Sequence, residues 1–212
     1  MSNPKLPNAF VRFCRHIYNP LGFTKGYAFT LYFILSGALL GFTLARLQFL
    51  AYNKAFCPRN VDDQLAAPGE CFYFSSGIPK VGLLLHLATV LPAGLLVVFQ
   101  FMPVIRHKFL LYHRIAGYVV VVLSIASSVG ALMSARRAFG GGLDVQAGTG
   151  LLTIAHLGSL GLAIWNIRRK QIEQHRAWML RAWVYVRLSS SLVPCLLFLL
   201  HPKLTPCRPA PS

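Results

Sequence analysis

Acidic side chains are scarce in this sequence: 212 residues carry 5 Asp plus Glu against 21 Lys plus Arg. No acid falls inside an apolar run, which argues against a carboxylate proton relay across a membrane. Charge of either sign is low as well, at 12% where soluble domains carry about 25%. Closely spaced histidine clusters are missing, and with them the iron sites of membrane hydroxylases and desaturases. There is no CxxC, so a zinc site or a thioredoxin-type motif is disfavoured. HExxH, GxSxG and GxxxxGK[ST] are missing too, which removes the usual signatures of zinc proteases, serine hydrolases and phosphate-binding loops. The first 26 residues lack an early apolar core, so no cleavable secretory signal is expected.

What is present is apolar. Hydrophobic residues make up 55% of the chain, and mean hydropathy is +0.55. The organising stretch is Val81 to Tyr118. It opens with VGLLLHLATVLPAGLLVVFQFMPV, breaks at Ile105-Arg106-His107-Lys108, and resumes after His113-Arg114. At ~1.5 Å per residue such a run crosses a bilayer, and the basic turn sends the chain back. The fold class is therefore all-α, a polytopic transmembrane bundle of about five helices. They are expected near 27–50, 81–105, 115–135, 147–167 and 177–200. A basic arm, 1–26, precedes them, and a Pro-rich tail, 201–212, is expected to be disordered. The last helix is the weakest: Arg181 and Arg187 leave only Leu188 to Leu200 free of charge, so a half-buried or re-entrant end is the alternative.

The net charge of +16 sits in short loops between apolar runs. That is the pattern of topology signals and lipid contacts, not of nucleic-acid binding. With alternating sides, Lys5, Arg12, Arg15, Lys25, Arg106, Lys108, Arg114, Arg168, Arg169, Lys170 and Arg176 share one face. This cation-rich face, with the N-terminus, is expected to be cytoplasmic. Cys57 and Cys71 then share the outer loop, where an oxidising compartment permits a disulfide. The alternative is two free thiols in a mobile loop.

Histidine is the informative titratable class. His86 and His156 lie inside helices two and four, roughly 8 and 13 Å below the outer boundary on the helical rise. His113 and His175 lie at the inner edge, each followed by an arginine, Arg114 and Arg176. Two pairs of imidazoles on facing helices are what two haem b groups stacked across a membrane require, with the arginines for propionates. The arrangement is similar to that of the ascorbate-dependent transmembrane cytochromes, with no motif of theirs matched. The simpler reading is that the interfacial His-Arg pairs bind lipid headgroups and the buried rings bond neighbouring carbonyls. Pro92 is expected to kink helix two, and the aromatics near the inner ends form an interfacial belt.

Several segments carry a resemblance: Tyr18-Asn19-Pro20-Leu21-Gly22, Leu44-Ala45-Arg46-Leu47-Gln48, Ala67-Pro68-Gly69-Glu70-Cys71, His113-Arg114-Ile115-Ala116-Gly117-Tyr118 and Gln174-His175-Arg176-Ala177-Trp178-Met179-Leu180-Arg181. They resemble a family of predicted multi-pass membrane proteins of unknown function, common in filamentous fungi and with bacterial relatives. The resemblance covers Tyr18 to Tyr185. Val186 to Ser212 departs from the pattern, so a C-terminally shortened member is expected. The resemblance implies an integral membrane location and no particular reaction. Two functions are carried forward. One is a haem-binding, cytochrome-like electron carrier ligated by His86, His156, His113 and His175. The other is a non-catalytic scaffold or accessory component that works with other membrane subunits.

Overall fold

The computed structural model describes residues 9–58, 65–66 and 69–200, with the backbone alone at 10, 11, 139 and 187–200. His201, Cys207, the tail 201–212, and Asp62 and Asp63 lie outside the described residues, as does the side chain of Arg187. Among the described residues there are eight α-helices and no strand: α1 (Ala9–Tyr18), α2 (Gly26–Leu47), α3 (Glu70–Tyr73), α4 (Gly77–Gln100), α5 (Pro103–Lys108), α6 (Leu110–Ser134), α7 (Leu143–Arg168) and α8 (Ile172–Leu200). The chain divides into two compact units, 1–130 and 131–212, with α6 running across the division.

Among the described residues four helices are long and apolar enough to cross a membrane: Gly26–Leu50 (α2 with its closing 3-10 turn), α4, α6 and α7, of 24 to 26 residues each. At ~1.5 Å per residue each exceeds the ~30 Å hydrocarbon thickness. Their outer faces carry exposed Leu31, Phe33, Ile34, Val122, Leu151 and Ile154, side chains that water would not tolerate in such density. The fifth helix, α8, exists and is 29 residues long, but it is not among these four.

Several boundaries move from those expected. Helix two ends at Gln100, not 105, because Met102 is held extended (ψ 122) ahead of Pro103. The basic turn is itself helical, α5, with Pro103 in its first turn. α4 continues through Pro92. Helix four begins at Leu143, after Gly140 and Gly141 at positive φ, with Asp144 in its first turn. The expected loop 168–176 shrinks to a tight turn. Lys170 N–H donates to Ile167 C=O and Gln171 N–H to Asn166 C=O, both at 3.0 Å, with Lys170 left-handed at φ 62°. This pair of bonds closes α7 in a Schellman motif and lets α8 start at Ile172. The arm also contains a helix, α1, where only a basic stretch was expected.

Within the first unit α4 packs against both α2 and α6. Tyr32 donates to Val98 C=O at 2.9 Å, and a methyl at Gly94 would meet Thr43 Oγ1 at 2.9 Å. On α6, a methyl at Gly130 would meet His86 N at 2.6 Å and Gly82 O at 2.7 Å, so the helix backbones touch there. The described residues of the connection between α2 and α4 pack on one another. A π-helical turn, Tyr52–Phe56, places Phe56 against Phe49, Tyr52 and Phe74, with ring centroids 5.6–6.2 Å apart. Tyr52 donates to Phe74 C=O at 2.6 Å, and Lys80 Nζ sits 4.4 Å above its ring. Cys57 and Cys71 are disulfide-bonded, with Cα atoms 5.2 Å apart.

Candidate functional site

The four histidines of interest all lie on helices. His86 is half-buried on α4, His113 half-buried in the first turn of α6, His156 buried on α7 and His175 half-buried in the first turn of α8. The fold brings three of them onto backbone carbonyls of a neighbouring helix through Nδ1. His86 Nδ1 is 3.0 Å from Ser127 C=O and 3.0 Å from Ser127 Oγ. His156 Nδ1 is 3.0 Å from Ala182 C=O, and His175 Nδ1 is 2.9 Å from Ala163 C=O.

A carbonyl only accepts, so where Nδ1 donates to it a neutral ring presents its lone pair at Nε2; at His86 the Ser127 hydroxyl can instead donate to Nδ1. This is the orientation that metal-bound imidazoles adopt, with the far nitrogen donating to a carbonyl. The donor chemistry therefore fits an axial haem ligand. Among the described residues no group of three or more His, Cys, Asp or Glu could hold a bare metal ion.

In the second unit the two bonds are reciprocal. α7 gives a histidine and takes one; α8 does the same. Both pairs are centred on Arg169, since 163 and 175 lie six residues from it and 156 and 182 thirteen. Ala163 and Ala182 are fully buried, and their small side chains let the rings reach the main chain. Trp183 covers His156 edge-to-face at 5.9 Å. The spacing of seven between rungs keeps both on one face of each helix.

The arginines expected to meet propionates are exposed. Arg176 binds Glu173 in its own helix turn at 2.8 and 3.1 Å, and Arg114 stands in the first turns of α6. Other basic side chains rest on aromatic rings: Arg169 over Trp165 at 4.6 Å and Arg181 over Trp178 at 4.5 Å. Sequence reasoning offered a neighbouring carbonyl as the simpler partner of a buried ring but not which carbonyl, because a carbonyl carries no residue-type signal. The small residues Ala163 and Ala182, opposite two histidines across a tight turn, were the available hint.

No curated protein and no solved structure matches the chain. The family described as Predicted membrane protein (DUF2306) matches residues 83–207. The match starts well after Tyr18 and runs on through the segment from Val186 that the resemblance sets apart. Four membrane-length helices and a match over more than half its length make the chain a multi-pass member of that membrane protein family.

Proposed function

We propose that this membrane protein is a haem b carrier of cytochrome type, with axial ligands drawn from His86, His156, His113 and His175. The observation that supports it is a shared contact: three rings with Nδ1 against a carbonyl, an arrangement that in the Nδ1–H tautomer leaves the Nε2 lone pair to a metal. Bound haem would supply one-electron chemistry; the chain's part is to orient the imidazoles and shield them in lipid. Arg114 and Arg176 would meet propionates by charge-assisted bonds. In the membrane, the N-terminus and α5 would face the cytoplasm, and the disulfide-closed loop the oxidising side.

The test is an absorption spectrum of the purified protein after haem-replete expression. A Soret band that shifts on reduction, and weakens in His156→Ala or His86→Ala, is the expected result. A protein that folds without any Soret band rejects the proposal.

One observation favours a second reading. The reciprocal α7–α8 bonds are sufficient employment for His156 and His175 as helix fasteners in a scaffold that recruits other membrane subunits. Under that reading, replacing all four histidines changes stability and leaves partner capture from detergent extracts intact.

A further inference from the structure

α1 is ten residues long, about 15 Å, too short to cross a membrane. Its sequence, AFVRFCRHIY, divides at helical spacing. Phe10, Phe13, Cys14 and Ile17 follow i, i+3, i+4, i+7, while Arg12, Arg15 and His16 fall on the opposite side. Phe13 is 65% exposed and Ile17 48%, and Arg12, Arg15 and His16 are exposed as well. So a helix with two sharply different sides has both of them uncovered.

The residues on its C-terminal side fix its position. Tyr18, buried, stacks on Phe29 of α2 at 6.0 Å and lies against Gly26. The connecting turn is pinned to α5, since Val104 N–H donates to Leu21 C=O at 3.2 Å. Gly22 makes that approach possible: at φ 84°, its missing methyl would sit 3.0 Å from Val104 N. α1 is therefore tied to the end of one span and to the short basic helix after another. That edge also carries Lys25 and Lys108. The first acid in the sequence is Asp62, so no carboxylate in the arm or in α2 offsets these cations.

We propose that α1 is an interfacial anchor that recognises anionic lipid. It lies along the membrane surface with Phe13 and Ile17 in the acyl boundary and Arg12 and Arg15 on negatively charged headgroups. Charge complementarity selects the occupant: apolar area alone would accept any lipid, whereas an acid-free row of cations beside it favours anionic ones. The proposal needs the spans to be in a bilayer and is independent of any haem.

The experiment is a nitroxide scan in the full-length chain. Cys14, Cys195 and Cys207 are replaced by Ser, the Cys57–Cys71 bond is kept, and a label is placed singly at 13, 14, 16 or 17. Both arginines stay in place. The protein is reconstituted in phosphatidylcholine vesicles with or without a minority of phosphatidylserine. Collision rates with oxygen and with a water-soluble nickel chelate are then compared. The oxygen-to-nickel ratio is expected to be severalfold higher at 13, 14 and 17 than at 16. That contrast should grow with phosphatidylserine, and shrink in high salt or in the Arg12→Gln/Arg15→Gln variant. Flat water access overturns the proposal, and so does a contrast indifferent to phosphatidylserine. Shielding of 13 and 17 from both reagents overturns it in favour of a protein partner.

Discussion

Lys170 holds a left-handed backbone that non-glycine residues avoid, and it does so to close the α7–α8 turn. Lys170→Gly should relieve that strain and stabilise the hairpin by about 1 kcal/mol in a denaturant titration of the detergent-solubilised protein. Gly130 is the opposite case, because a methyl there meets main-chain atoms that have nowhere to go. Gly130→Ala should destabilise by ~1 to ~3 kcal/mol and lower the thermal midpoint. His156→Ala and His175→Ala each remove one interhelical bond, for a loss of ~0.6 to ~1.7 kcal/mol by the same titration. At this scale the sequence marked the polar groups inside the helices but not the particular atoms they touch. The imidazoles stood out as polar groups in apolar runs. Their partners are carbonyls, and every residue has one.

The elements were more legible. Apolar runs bounded by cations located four spans to within a few residues, because lipid demands continuous hydrophobicity over a fixed length. The shifts have local causes: Pro103 stops α4 early, and the Schellman turn shortens the 168–176 loop. α1 escaped notice because its two arginines dominated the reading of a short segment, although the 3.6-residue period was there. In the 51–80 loop the sequence offered the Cys57–Cys71 disulfide but not the aromatic cluster of Phe49, Tyr52, Phe56 and Phe74 that packs beside it as a cap. Replacing both Cys57 and Cys71 by Ser should release about 3 kcal/mol of loop constraint. The expected readout is faster proteolysis between α2 and α4 with unchanged helical circular dichroism. Alkali should loosen the same cap. Burial raises the Tyr52 phenol above its ordinary value, so its donation to Phe74 stabilises the cap below pH ~10 and fades as pH climbs through the raised value. Protease sensitivity of the loop against pH checks the direction, and Tyr52→Phe should remove the pH dependence.

For the molecule as a whole, hydropathy and charge distribution were enough to identify a membrane protein, and the family match agrees. Sidedness is open to a direct measurement. With the N-terminus cytoplasmic, a cysteine at the exposed position 16 (His16→Cys, with Cys14, Cys195 and Cys207 replaced by Ser) should resist a membrane-impermeant maleimide applied to intact cells and react once they are permeabilised. The chemistry was less legible because it depends on how rings are turned, which no composition records. The paired rungs between α7 and α8 carry one mechanical consequence. Shifting either helix along the other by a single residue would break both at once, and no halfway position rescues either. The hairpin is keyed to one register, so a piston or ratchet stroke of α8 past α7 is barred, and whatever these two helices transmit they transmit together, by tilting or turning as one piece.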